Sequence, residues 1–231
     1  MLNRGEVWSV MRNRWIRGIL AAVSVHSGRA RTALPDEHGA RGRYAETMEQ
    51  ADTFRRIAAG FTARVEGVGP DGWDVEAPCE GWVARDIVRH LVEWVPWWAG
   101  EGTNHSINLT QNVDENPAEA WAELRDLVQA LLDRPEAATE TFSGEMFGGE
   151  MPLGVATERF VTGDILVHTW DLAKATGQDT SIDPEFARGM YEGMLPMDEM
   201  LRESGHFGPR VDVPDDADPV TKLIAFTGRR P

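Results

Sequence analysis

Residues 161–177 read Val161-Thr-Gly-Asp-Ile-Leu-Val-His-Thr-Trp-Asp-Leu-Ala-Lys-Ala-Thr-Gly177, and apolar side chains recur in them with the period of an α-helix. One face carries Val161, Ile165 and Leu172, which predicts a helix that faces a core. Gly177 stands where a glycine commonly ends a helix. This stretch therefore predicts a core helix that ends at residue 176 or 177.

Two residues on this apolar face are polar. Asp164 and His168 are one turn apart, so their side chains leave the helix side by side. Burying a carboxylate and an imidazole costs free energy unless both find partners. Three explanations are open: the two residues pair with each other, they pair with other side chains, or they bind a metal ion.

A second predicted helix, at about residues 82–99, has the same anomaly. His90 lies in its apolar stripe, whose other members are Val83, Ile87, Trp94 and Trp97. A core histidine paired with a neighbouring acid would explain His90. The pair Asp164 and His168 on another helix adds a second explanation, a cluster of three metal ligands.

Two imidazoles and one carboxylate are a common catalytic zinc set, with a fourth position open to water or substrate. The same residues could also bind iron or nickel, because ligand type alone does not select the metal. The chain has one cysteine, Cys79, so structural zinc sites that need two or four thiolates are excluded. Cys79 has no basic or histidine neighbour in sequence and is predicted to be an inert small hydrophobe.

Three charged residues near these helices allow more than one role. Asp171 could orient an imidazole from behind, or it could be a solvent-exposed acid or a hydrogen-bonding partner of another helix. Arg85 and Arg89 could bind a substrate carboxylate. Their place beside an apolar stripe predicts that they face solvent instead.

The remaining pattern predicts an all-α fold. Other helices are predicted at about residues 44–68, 117–131, 184–194 and 219–226, and a short hairpin or ordered loop at 139–152. Asn116 is expected to cap the third helix, with Pro117 at its first position. Four long amphipathic helices predict an antiparallel four-helix bundle with additional C-terminal helices, and such bundles build ligand sites from side chains that point inward.

Charge divides the chain near residue 43. Residues 1–43 contain eight of the 23 basic residues but three of the 38 acidic ones. We expect a flexible basic extension over 1–43, or an over-extended gene start with Met48 as the true beginning, followed by one domain over 44–231. The net charge of −15 predicts no nucleic-acid or membrane partner. A single cysteine cannot form an internal disulfide, which agrees with a cytoplasmic location.

Two motifs carry a resemblance to a known family. Pro78-Cys-Glu-Gly-Trp82 with Arg85-Asp-Ile-Val-Arg-His-Leu91 resembles the second-helix motif of the DinB-like superfamily, and more closely that of its actinobacterial branch, the mycothiol-dependent maleylpyruvate isomerase-like proteins. Residues 164–177 resemble the fourth-helix motif of that branch. Residues 207–209 and 213–229 resemble the C-terminal signature of a subgroup. The resemblance covers about residues 45–230.

The resemblance implies a DinB-like antiparallel four-helix bundle with a divalent metal, typically zinc, at one end. The ligands it implies are His90, Asp164 and His168. Asp164 replaces the glutamate of the isomerase, so this shorter ligand departs from the family pattern. By the same resemblance we expect the chain to lack the separate C-terminal domain of the isomerase, so maleylpyruvate is not implied as its substrate.

The chemistry implied by the resemblance uses a low-molecular-weight thiol, mycothiol, as co-substrate. The metal would stabilise the thiolate, which would add to an electrophilic small molecule in a transferase or isomerase reaction. The alternatives are a metal-binding stress or regulatory module without catalysis, and a metal-free bundle in which Asp164 and the histidines simply pair. Neither a catalytic residue, nor the substrate, nor an oligomeric state follows from the sequence.

Overall fold

The computed structural model of the chain describes residues 37–144, 147–203 and 207–231. The elements in chain order are α1 (Glu37–Glu66), α2 (Ala84–Gly102), α3 (Pro117–Leu132), β1 (Thr141–Gly144), β2 (Gly149–Pro152), α4 (Gly163–Thr176), α5 (Pro184–Met194), α6 (Asp198–Glu203) and α7 (Pro219–Phe226). The only sheet within these residues is the β1–β2 pair. The predictions of an all-α fold and of a short hairpin before the fourth helix are confirmed.

The four long helices form the predicted bundle, in which α1 and α2 each pack against both α3 and α4. α1 and α3 are antiparallel, because Trp121 Nε1 donates to Thr62 Oγ1 at 2.9 Å while Arg55, earlier in α1, bonds to Asp133 beyond the end of α3. α2 and α4 are antiparallel as well. The second antiparallel pair carries all three candidate metal ligands.

α4 begins and ends at features that the sequence explains in part. It follows a short α-helical turn, Leu153–Ala156, and a π-helical turn, Thr157–Thr162. π-helical turns occur often beside functional sites. The helix ends at Gly177, whose φ of 69° lies in the left-handed region that glycine adopts without strain. The predicted C-terminal glycine cap is confirmed.

One helix start and one helix cap differ from the prediction. α1 begins at Glu37 and not at about residue 44, because alanine and arginine favour the helix strongly enough to extend it through two glycines. The part of the predicted extension at residues 1–36 lies outside the described residues. α3 begins at Pro117 as predicted, but the side chain of Asn116 makes no capping hydrogen bond.

The described residues divide into two compact units. One contains residues 37–143 and 151–183, and the four-helix bundle belongs to it. In the other, α5 packs against α7, with Tyr191 edge-on to Phe226. Asp218 caps α7 by accepting from the amides of Val220 and Thr221, and both helices have their predicted bounds. Across the described ranges, no helix has the length and apolar character needed to cross a membrane.

Candidate metal centre

The three predicted ligands converge between α2 and α4. His90 Nε2 lies 3.0 Å from Asp164 Oδ2, and His168 Nε2 lies 3.5 Å from Asp164 Oδ1. The two imidazole rings are 4.9 Å apart between centroids. One ligand atom from each residue lies within 4.8 Å of the other two. The structure therefore brings together, from two helices, the three side chains that the sequence singled out.

The environment of Asp164 keeps it ionised. Trp94 Nε1 donates to Asp164 Oδ2 at 2.9 Å, on the oxygen that also faces His90. Burial alone would raise the pKa of Asp164, but the charges of His168 and His90 outweigh it and lower the pKa to about 2. Asp164 is thus a carboxylate throughout the neutral range. The sequence had placed Trp94 only in the core stripe, without this hydrogen bond.

The imidazole of His168 is held on both sides of its ring. His168 Nδ1 lies 2.9 Å from Asp171 Oδ2, opposite the nitrogen that faces Asp164. Burial would lower the pKa of His168, but Asp164 and the hydrogen bonds to Asp171 and Cys79 raise it to about 10. Of the roles open to Asp171, the structure has the one that orients an imidazole, because Asp171 is fully buried and not exposed to solvent.

A tight turn before α2 brings further side chains to the cluster. Trp82 N donates to Cys79 O at 3.0 Å, and Gly81 between them has a φ of 79°, as a type II turn requires. The turn places the Trp82 ring 5.9 Å from the His168 ring, nearly parallel to it, and 5.4 Å from the His90 ring. Gly81 is therefore the residue that allows this loop to pack against both imidazoles.

Cys79 is also part of this region. Its Sγ donates to Asp171 Oδ2 at 3.5 Å, although the two residues are 92 positions apart. Sequence reasoning had treated Cys79 as an isolated hydrophobe, because no local spacing connects it with His168 or Asp171. Cys79, His168 and Asp171 form a second group whose possible ligand atoms lie within 4.8 Å of one another.

The donor set fits a tetrahedral divalent metal. Ligand atoms that each lie about 2.0–2.1 Å from zinc are about 3.3 Å from one another in a tetrahedral site. Each imidazole lies near that distance from one oxygen of Asp164, His90 Nε2 at 3.0 Å from Oδ2 and His168 Nε2 at 3.5 Å from Oδ1. A metal ion at this site would replace the proton that His168 Nε2 carries when the imidazole is charged. A carboxylate behind a ligating imidazole is the usual companion of a zinc-bound histidine, and Asp171 has this place.

The two arginines considered as substrate contacts are engaged within the protein. Arg89 Nη2 lies 2.6 Å from Asp114, and its Nε lies 3.2 Å from Asp86. Arg85 donates to the carbonyl of Asp114 at 2.8 Å and lies 3.6 Å from Asp74. The predicted solvent exposure is wrong, because the side chains of Arg85 and Arg89 are 17% and 14% exposed and pair with aspartates of α2 and of the loops beside it.

Comparisons with known proteins agree with this architecture. Residues 54–173 match the family described as the mycothiol maleylpyruvate isomerase N-terminal domain. Two uncharacterized proteins, each from a strain of Mycobacterium tuberculosis, are 30% identical to the chain over 196 residues, which cover 79% of this chain and 98% of each relative. No solved structure matches the chain. The matched range includes every residue of the cluster between α2 and α4.

Proposed function

Because the chain belongs to the mycothiol maleylpyruvate isomerase N-terminal domain family, we propose that it is a metal-dependent enzyme that uses mycothiol as a co-substrate. In this proposal His90, Asp164 and His168 bind a divalent cation, which is zinc by the family resemblance, because the donor set alone does not select zinc over nickel or iron. The observation that carries the proposal is the convergence of these three ligand atoms from two facing helices. The expected setting is the cytoplasm, where a small thiol stays reduced.

A bound divalent cation would supply stabilisation of a thiolate at neutral pH. The residues of the chain prepare the site for it. The Asp171 carboxylate accepts from His168 Nδ1, so Nε2 is the nitrogen that would release its proton and bind the cation. The Trp94 indole fixes the orientation of Asp164 through its N–H group.

Exposure differs across the site in a way that suits a small-molecule reaction. The side chain of Asp164 is 26% exposed, whereas that of His168 is 6% exposed. Access is therefore from the Asp164 side, and the Trp82 ring covers the imidazoles. In the proposed reaction, the thiol gives its proton to solvent and its sulfur adds to an electrophilic carbon of a substrate double bond, whose electron pair moves to the conjugated electron-withdrawing group. Loss of the thiolate after rotation about the resulting single bond would give isomerisation. Protonation of the adduct by solvent, with the carbon–sulfur bond kept, would give transfer.

A second candidate is a metal-binding module of the same fold without catalysis, acting in stress or regulation. The engagement of Arg85 and Arg89 by aspartates favours it, since neither cation is offered to an acidic substrate. The pairing of both arginines with aspartates is also compatible with an enzyme whose substrate has no carboxylate.

The deciding experiment combines metal content with turnover. Protein purified without an affinity tag is analysed by plasma mass spectrometry, and the metal-loaded protein is then assayed with mycothiol and a panel of electrophiles. The enzyme proposal expects near-stoichiometric metal and turnover that requires both mycothiol and His168. Stoichiometric metal without turnover on any electrophile would favour the non-catalytic module. Folded protein that neither contains nor takes up zinc would contradict both candidates.

A further inference from the structure

We propose that Cys79 is a positioning residue of the metal centre: its thiol holds the carboxylate of Asp171, which in turn holds the imidazole of His168. This inference rests on the metal site proposed above and assigns a role to the one cysteine of the chain. Cys79 is neither a nucleophile nor a metal ligand in this arrangement. It acts mainly through Asp171, whose Oδ2 its thiol contacts, although the thiol also lies within hydrogen-bonding reach of His168.

The geometry forms a short chain of hydrogen bonds. The thiol of Cys79 donates to Asp171 Oδ2 at 3.5 Å, and His168 Nδ1 donates to the same oxygen at 2.9 Å. Asp171 is fully buried, so water does not compete for this oxygen. A buried carboxylate oxygen needs hydrogen-bond donors in place of water, and the thiol and the imidazole are two of them.

The backbone holds Cys79 in place for this contact. Its carbonyl accepts from the amide of Trp82 within the Gly81 turn, and the amide of Ala77 donates to the carbonyl of Trp82 at 2.9 Å. An isolated bridge between Glu76 and Val83 closes the base of the loop. The sulfur is therefore presented to Asp171 by a hydrogen-bonded loop, and its position is set before any metal binds.

Two other roles for Cys79 make different predictions. If Cys79 only fills space, a valine of similar size would serve equally well. If Cys79 ligates the metal together with His168 and Asp171, the Nδ1 proton of His168 would have to leave and the thiol would have to ionise. The positioning role differs from both, because it needs an S–H or O–H donor and no bond to the metal.

The test measures zinc affinity by competition with a chromophoric chelator, using the full chain. Cys79→Val is expected to weaken zinc binding by about 3- to 10-fold. This is at or below the low end of the losses seen when residues that support a metal ligand are mutated, because a thiol is a weak hydrogen-bond donor. Cys79→Ser keeps a donor and is expected to remain within about 3-fold of wild type. Glu80→Gln, at the exposed neighbour in the same turn, is the matched control and is expected to have no effect.

A double-mutant cycle shows whether Cys79 acts through Asp171. Asp171→Asn alone is expected to weaken zinc binding by about 10- to 100-fold. In that background Cys79→Val is expected to add little, because the carboxylate that the thiol holds is gone. Equal zinc affinity of Cys79→Val and wild type, or a full additional loss in the Asp171→Asn background, would overturn the inference.

Cobalt substitution separates positioning from ligation. The wild-type protein loaded with Co²⁺ is expected to lack the intense sulfur-to-cobalt charge-transfer absorption of a thiolate ligand, and its appearance would overturn the positioning role. Thermal unfolding of each metal-free variant confirms that the variants are folded. If the wild type binds no zinc, the proposed function fails. If the wild type and Cys79→Val bind zinc equally, only the present inference fails.

Discussion

The unit that contains the four-helix bundle has, among its described residues, two clusters in which a histidine pairs with a carboxylate. The two pairs are alike, but the residue that joins each pair differs. In one cluster His90 Nε2 lies 3.0 Å from Asp164, and in the other His105 Nε2 lies 2.8 Å from Glu140. The carboxylates are equally exposed, at 26% of each side chain. The exposure of the carboxylate and its distance from the imidazole therefore do not distinguish a candidate metal site from a structural cluster.

The difference lies in the second side chain that contacts each carboxylate. Asp164 faces a second imidazole, that of His168, which can exchange its proton for a metal ion. Glu140 instead accepts two hydrogen bonds from the Arg134 guanidinium, at 2.7 and 2.9 Å, and this contact holds its pKa below the usual value. A guanidinium keeps its charge in proteins. The cluster at Glu140 is thus already neutralised, while the cluster at Asp164 can take up a cation.

The largest expected effect separates the two clusters by metal affinity. His168→Ala removes one of three ligands and is expected to weaken zinc binding by more than about 100-fold, beyond the range seen for residues behind a ligand. His105→Ala removes a histidine from the second cluster, whose carboxylate is as exposed as Asp164, and is expected to leave zinc affinity unchanged. Competition with a chromophoric chelator measures both. Comparable losses in the two variants would mean that zinc does not bind where we propose.

Stability should respond to zinc only through the first cluster. A ligand that binds the folded state alone, at 100 times its dissociation constant, stabilises it by about 2.7 kcal/mol. For a chain of this size we expect zinc to raise Tm by about 5 to 10 °C, and a chelator to reverse the rise. His105→Ala should show the same rise and His168→Ala none. A zinc-dependent rise that persists in His168→Ala would place the bound metal elsewhere.

Most of the fold followed from helical periodicity, because a core-facing stripe must repeat every 3.6 residues whatever the sequence between. The bounds of α5 and α7 were predictable because Pro184 and Pro219 mark the first helical positions. The start of α1 was not predictable, because the basic, glycine-containing composition of residues 37–43 is typical of an extension. Helix ends without a marked cap depend on small propensity differences.

The candidate site was predictable to the extent that its residues violate their own helical pattern. His90, Asp164 and His168 are polar side chains at core positions, which is a local signal. Cys79 and Trp82 carry no such signal, because they reach the site through a turn whose packing depends on contacts across about 90 residues. A local pattern cannot report a contact of that kind.

The length of the acidic ligand offers a finer comparison. Asp164→Glu restores the residue type that the family resemblance implies, and we expect zinc affinity within about 10-fold of wild type, because the charge is kept. Asp164→Asn removes the charge and is expected to weaken binding by about 10- to 100-fold, comparable to the loss of a residue behind a ligand. Chelator competition at one pH compares the two. Equal affinity for Asp164→Asn and wild type would show that the carboxylate is not a ligand.

The smallest effect is expected in the second cluster and depends on pH. Because Arg134 lowers the pKa of folded Glu140, the carboxylate contributes stability above its unfolded-state pKa, near 4.3, and loses it as pH falls through the lower folded value. Glu140→Gln is therefore expected to cost about 0.5–1 kcal/mol at pH 7, reduced by solvent screening, and to approach wild type as the pH is lowered below about 4. Urea unfolding at a series of pH values measures this difference. A loss of unfolding free energy that stays constant with pH would assign Glu140 a packing role. The contrast between the cluster that Arg134 neutralises and the cluster that can bind a metal would then lose its electrostatic basis.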